Sequence, residues 1–202
     1  MLELTFWVCA FLVVYVYVGY PTILYLYSRT RPVQDFDAPE NWPSITLLIS
    51  AYNEEDCIAE KLNNSLALDY PEERLQIVVI SDQSSDGTDA IVRNFEQQRV
   101  RLLRMEERGG KTLGLNAGVA EAQSDIIVFS DATAMYQKDA IRALVTPFAN
   151  THVGAVVGES TYTSAEEESG DSESLYWRYE TAIKALESRA SSVVGGDGAI
   201  YA

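Results

Sequence analysis

The sequence predicts an α/β fold, a mostly parallel sheet covered by helices, preceded by one N-terminal transmembrane helix. Three observations carry this expectation. Short β-branched runs alternate with helix-length stretches from residue 45 onward, and that alternation is the mark of parallel strands joined by helical crossovers. Runs such as Ile77-Val78-Val79-Ile80 are continuously apolar, as strands buried on both faces must be. No charged residue occurs between Glu3 and Arg29, and at about 1.5 Å per residue that stretch, as a helix, exceeds the roughly 30 Å of a hydrocarbon core.

The N-terminal segment, 1–30, reads as an anchor rather than a cleaved leader. A leader begins basic and ends at small residues, whereas this one carries Glu3 at its start and Tyr25-Leu26-Tyr27 at its end. Trp7, Tyr20, Tyr25 and Tyr27 suit the two interfaces. Tyr15 and Tyr17 fall too deep for that and are expected to face a partner helix. Pro21 is expected to kink the span. Arg29 and Arg31 follow directly, and basic charge marks the cytoplasmic side, so the remainder is expected in the cytosol, at the cell membrane.

Residues 31–43 contain three prolines and no apolar period, the pattern of a linker. The globular part, 44–202, follows. Strands are expected at 45–50, 75–81, 100–105 and 126–130, with helices at 54–68, 86–98 and 112–123 between them. A helix at 140–148, a strand near 155–157 and a long helix at 174–191 complete the series. The acidic stretch 166–173 reads as a solvated loop.

Composition limits the partners. At 202 residues and 47% hydrophobic, the chain holds one domain with a real core beside its anchor. A net charge of -15 and a pI near 4.4 exclude a nucleic-acid partner, which needs a basic face. Any phosphate site must then be made by a few local cations, helix N-termini or a metal. Cys9 and Cys57 form no disulfide framework or metal-ligand spacing, and the single histidine, His152, reads as a surface residue near a turn.

In open parallel sheets the ligand lies outside the carboxyl ends of the strands. Those positions are polar here: Ala51-Tyr52-Asn53-Glu54-Glu55-Asp56, Ser81-Asp82-Gln83-Ser84-Ser85-Asp86-Gly87-Thr88, Glu106-Glu107-Arg108-Gly109-Gly110-Lys111-Thr112 and Asp131-Ala132-Thr133. Each alone reads equally well as a helix cap or a turn. Four at one end of one sheet point to a site, because a scaffold needs caps but does not need Tyr52, Asp82, Lys111 and Asp131 to converge. Gly110-Lys111-Thr112 is not a P-loop, since Met105 stands where that motif requires glycine. No Gly-x-Gly-x-x-Gly follows the first strand either.

These residues resemble the family 2 glycosyltransferases of the Rossmann-like GT-A fold, in particular membrane members related to hyaluronan, chitin, cellulose and poly-N-acetylglucosamine synthases. The matching pieces are Ile49-Ser50-Ala51-Tyr52-Asn53-Glu54-Glu55, Val79-Ile80-Ser81-Asp82, Ser85-Asp86-Gly87-Thr88, Gly110-Lys111 with Leu115-Asn116-Ala117, and Val128-Phe129-Ser130-Asp131. Trp177-Arg178-Tyr179-Glu180 and the glycine-rich run Gly195 through Tyr201 follow in the family's order. The resemblance implies nucleotide contacts at Ser50, Tyr52, Glu54 and Asp82, a basic residue near the nucleotide at Lys111, and a supporting residue at Asn116. Asp131 matches the first acid of the family's Asp-x-Asp motif, which implies contact with the nucleotide and with Mg2+ or Mn2+ bridging the diphosphate. Thr133 replaces the second acid.

The implied reaction is inverting transfer from a nucleotide sugar, UDP-linked, to a glycan or lipid acceptor at the cytosolic membrane face. The family's general base and its Gln-x-x-Arg-Trp motif are expected beyond Ala202, so the globular part is expected to be the nucleotide-sugar-binding portion of the domain, and no catalytic base is assigned. Should an acid within the chain serve, Asp197 is the first candidate. The alternative reading is a non-catalytic nucleotide-sugar-binding or assembly module. A nucleotidyltransferase would instead show a glycine-rich basic loop after the first strand, where this chain has Tyr52-Asn53-Glu54.

Overall fold

A computed structural model of the chain describes residues 1–32, 35–159, 171–196 and 198–202. Asp197 and most of the acidic stretch expected as a loop, 166–170, lie outside the described residues. The chain divides into two compact units, one formed by residues 1–35 and 161–196, the other by residues 36–160 and 197–202.

The first unit holds the apolar N-terminal helix, continuous over Leu2–Ser28 and long and apolar enough to cross a membrane. It runs as α1 (Leu2–Val14), a π turn (Tyr15–Gly19) and α2 (Tyr20–Ser28). Pro21 was expected to disturb this helix, and the π turn stands directly before it. Proline has no N–H, so the carbonyl four residues earlier, on Tyr17, loses its helical donor. The hydroxyl of Tyr179 on α7 (Asp171–Ala190) donates to that carbonyl at 2.9 Å. The Tyr20 hydroxyl donates to Glu187 Oε1 of the same helix at 2.6 Å. Thus α7 meets the backbone of Tyr17, while the Tyr17 ring itself stays exposed. At the far end Arg29 and Arg31 lie over the rings of Tyr25 and Tyr27, a basic and aromatic rim of the kind found at membrane interfaces.

The second unit is built on five strands in the order β3-β2-β1-β4-β5. These are β1 (Ile45–Ala51), β2 (Leu75–Ser81), β3 (Val100–Arg104), β4 (Ile126–Asp131) and β5 (Ile200–Tyr201). The first four are parallel and β5 is antiparallel to β4. After β3 the chain returns to the other side of β1, so the strand order reverses between β1 and β4, the place where such sheets bind ligands. Register there sets Ser50 beside Asp131 and, on the other side of β1, Ala51 beside Ser81.

Both faces are covered. Helices α3 (Ile58–Leu66), α4 (Thr88–Arg93) and α6 (Ala140–Val145) contribute Ile58, Leu62, Val92, Ile141 and Leu144 to the main core, against Leu47, Ile49, Ile77, Val79 and Val128. On the opposite face α5 (Lys111–Glu121) packs Leu115 against Leu48, Val78 and Ile80. Gly118 lets α5 approach closely, since a Cβ there would stand 2.7 Å from Ile80 Cδ1 and 3.1 Å from Leu48 Cδ1.

Several expected elements differ: α7 begins at Asp171, within the stretch expected as a loop, and the helix expected at 140–148 ends at Val145 and continues as a 3-10 turn, Thr146–Ala149. The helix expected from residue 54 begins at Ile58, because the backbone at 53–55 turns to bond with the loop after β2. The one expected at 86–98 stops at Arg93 and continues as a short 3-10 turn, Glu96–Gln98. Near 155–157 the chain forms a single bridge, Val157 to Tyr201, with Val156 and Ala202 exchanging backbone bonds of 2.9 and 2.8 Å. Trp42, at the end of the expected linker, packs edge-on against Tyr70 at 5.5 Å. His152 is exposed in a turn.

Candidate nucleotide-binding edge

The carboxyl edge of the sheet is formed by four loops, and the first two are bound into one network. Asn53 adopts φ 55 and Gln83 φ 62, left-handed conformations that side chains other than glycine rarely take and that concentrate at functional sites. Asn53 N–H donates to Ser84 Oγ at 3.1 Å and its Oδ1 accepts from Ser85 N–H at 2.8 Å. Glu54 N–H donates to the buried Thr88 hydroxyl at 2.8 Å, which donates to Asp86 Oδ1 at 2.6 Å. Asp86 Oδ2 accepts from Glu55 N–H, and Glu55 Oε2 accepts from Gly87 N–H. Every one of these bonds crosses from the loop after β1 to the loop after β2, or braces one that does.

Asp82, directly after β2, is almost fully buried, at 6% exposure. Its two carboxylate oxygens accept from Gly109 N–H and Gly110 N–H, each at 2.8 Å, so it fastens the third loop to the second. Gly110 needs its φ of +81 to present that N–H and start α5. Gln83 Nε2 donates to the carbonyls of Met105 and Glu106 at 2.7 and 2.6 Å. With its stem held on both sides, the loop places the Arg108 guanidinium 4.0 Å from the centroid of the Tyr52 ring.

At the reversal point Lys111, the first residue of α5, forms an ion pair with Asp131 Oδ1 at the end of β4. Of the expected contacts, the structure thus brings together Ser50, Asp82, Lys111 and Asp131 through register and bonds, and Tyr52 through Arg108. Glu54 accepts a hydrogen bond from the Cys57 thiol at 3.1 Å; burial first, then this carboxylate, push that thiol up to about 11. Asn116 stands apart: it lies exposed on α5, five residues beyond Lys111 and so about 140° around the helix from it.

The metal donors are few. Among the described residues no group of three acidic, histidine or cysteine side chains converges, and Thr133 is exposed beside Asp131. One carboxylate and one hydroxyl fit a hard divalent cation only where phosphate oxygens and water supply the other positions, the usual pattern for Mg2+ in nucleotide sites. The Lys111 ammonium against Asp131 already marks the place as one where a cation is stable.

Sequence reasoning missed Gln83, Arg108 and, most of all, Lys61. Lys61 belongs to the buried face of α3 with Ile58, Leu62 and Ser65. That i, i+3, i+4, i+7 spacing was legible, but a lysine within it reads as exposed.

Comparison with known proteins agrees with this geometry. The Glycosyl transferase family 2 profile matches residues 46–201. The chain is 37% identical over 123 residues to the probable glycosyltransferase YdaM of Bacillus subtilis, covering 58% of this chain and 29% of that protein. It is 29% identical over 154 residues to a poly-beta-1,6-N-acetyl-D-glucosamine synthase of Staphylococcus epidermidis, covering 73% and 36%. The mannosyltransferase PcManGT of Pyrobaculum calidifontis, solved with GDP-Man and Mn2+, superposes with a TM-score of 0.75 at 26% identity, covering 95% of this chain and 54% of that one. The chain therefore spans about a third of the length of these curated relatives. The sheet with its reversal between β1 and β4, the polar edge built there and a profile match over nearly all of the second unit place this chain, with its GT-A fold, in glycosyl transferase family 2.

Proposed function

We propose that this chain binds a nucleotide sugar across the carboxyl edge of its sheet, nucleoside toward Tyr52 and Asp82, diphosphate toward Lys111 and Asp131. The reaction it serves is inverting glycosyl transfer, from a UDP-linked donor in the first instance, to a glycan or lipid acceptor at the cytosolic face of a membrane. The observation that carries this reading is the convergence at the strand reversal: Ser50 lies beside Asp131 in register, Lys111 pairs with Asp131, and Asp82 fastens the loop that leads into Lys111.

The chemistry follows from the leaving group. A nucleoside diphosphate departs with negative charge, and groups already oriented toward that charge stabilise the transition state most. Lys111 supplies an exposed ammonium at the start of α5, where helical N–H groups also point outward. When bound, Mg2+ or Mn2+ would share the charge on the diphosphate, with Asp131 as its protein carboxylate. Tyr52 and Ser50 offer a ring face and a hydroxyl to the nucleoside, and Glu54 an acceptor. The apolar helix Leu2–Ser28, with Arg29 and Arg31 at its end, fits attachment to a membrane with this unit on the cytoplasmic side.

Calorimetry separates the roles. Asp82→Ala should weaken UDP binding with and without Mn2+, since it frees the Gly109–Gly110 turn as well as a nucleoside contact. Asp131→Ala should remove chiefly the Mn2+-dependent part. Equal losses for the two variants in both conditions would refute the division of the site into these two ends.

A further inference from the structure

Lys61 is fully buried, at 0% exposure, and no step above uses it. Its ammonium donates to the carbonyl of Ala134 and lies 3.6 Å from the centroid of the Tyr136 ring. One turn on, Asn64 grips the same segment at both backbone groups of Tyr136: Nδ2 donates to its carbonyl and Oδ1 accepts from its N–H, each at 2.9 Å. The Tyr136 hydroxyl donates to the carbonyl of Ala199 at 3.1 Å, next to β5. The segment held in this way is the continuation of Asp131-Ala132-Thr133.

Placing an ammonium inside a core is costly, and a well-packed apolar side chain of similar volume is often the more stable choice. Ser65 and Leu62 on the same face show that α3 needs no charge to pack. The cation is therefore explained by what it faces. Burial draws the Lys61 ammonium down to about 7, while the negative charge of Asp131 acts against that shift. The field of the candidate diphosphate-site acid thus reaches it.

We propose that Lys61 is a positioning residue of the diphosphate site, holding the turn after Asp131 through Ala134 and Tyr136 and bringing a protonatable amine within the field of Asp131. This rests on the nucleotide-sugar reading given above. Lys61 is enclosed and so differs in kind from Lys111, which is exposed and paired with Asp131. Lys61 touches no substrate atom and acts only through the turn and the field.

The test is Lys61→Met in the full chain, titrated with UDP and GDP in Mn2+ and, by competition, with uridine and guanosine. At pH 6, where Lys61 carries its proton, loss of one charge-assisted contribution should weaken the diphosphate that the wild type binds by roughly tenfold. The matching nucleoside should bind as before, and the melting temperature should stay level or rise. Unchanged diphosphate affinity overturns the proposal, and so does an equal loss for nucleoside and diphosphate, which would indicate general support only. If Lys61→Met does not fold, Tyr136→Leu removes the ring over the ammonium and should show the same split at smaller size; no split there also overturns it. Wild-type chain that binds neither UDP nor GDP would bring down the nucleotide reading itself, a result distinct from wild type and variant binding alike.

Discussion

The two ends of the carboxyl edge are held by different means. At the end proposed for the nucleoside, the loops after β1 and β2 saturate one another through Asn53, Ser84, Thr88 and Asp86, and Asp82 draws in the third loop. At the end proposed for the diphosphate, an exposed ion pair, Lys111 with Asp131, stands next to a turn held by Lys61 and Asn64. The first end is shaped before any ligand arrives. The second has exposed charged groups whose present partner is each other, so a ligand must exchange with that pair. A neutral base gains from a rigid surface, whereas a diphosphate gains from charges free to turn toward it.

If this contrast is right, stability and affinity should separate along the edge, and the largest effect concerns the buried cation. Unfolded, Lys61 keeps its proton to about pH 10.5, whereas folded it does so only to about pH 7. Between these values unfolding takes up a proton, so the lysine's contribution to stability rises with pH. Wild type should therefore be less stable than Lys61→Met below pH 7, by an amount on the order of a few kcal/mol, and the gap should narrow toward pH 10. Urea midpoints of both proteins across that range check it; a gap independent of pH would mean the ammonium is not desolvated.

Next in size is Thr88→Val, at the end proposed for the nucleoside. It keeps the volume but leaves Glu54 N–H without its acceptor, which should cost about 1–3 kcal/mol, read as a lower urea midpoint. The smallest stability effect belongs to Lys111→Gln. Its pair with Asp131 is exposed on both sides, so the midpoint should move by less than about 0.5 kcal/mol. UDP affinity should nonetheless fall roughly tenfold, with uridine unaffected. A substitution at Lys111 that destabilised as Thr88→Val does would erase the distinction between the two ends.

Much of this was legible before the fold. The range 75–81 for β2 matches because an uninterrupted β-branched run between polar turns has few other uses. Asp131 was legible as a polar residue at a strand end and Lys111 as one in the polar stretch that follows β3. The helix start at 58 rather than 54 was not, because the N–H groups of Asn53, Glu54 and Glu55 are taken by side chains some thirty residues away, and no local period encodes that. Asp82 was placed correctly at the edge, yet its grip on Gly109 and Gly110 depends on where β3 brings the chain back. Lys61 shows the limit from the other side: its spacing was visible, but its burial follows from the Ala134 and Tyr136 turn folding over it.

Proline in an apolar helix is usually considered for the bend it introduces, but Pro21 also leaves a carbonyl open, and here Tyr179 claims it. On the reading that Leu2–Ser28 crosses a bilayer, this bond fixes how much of the helix lipid can surround. From Leu2 to Gly19 the helix rises about 27 Å, close to a hydrocarbon thickness. The turns that follow, from Tyr20 to Ser28, have α7 as their brace through Glu187. A helix longer than a hydrocarbon core is on this view two devices in series, a span and a braced stem, joined where the backbone skips one bond.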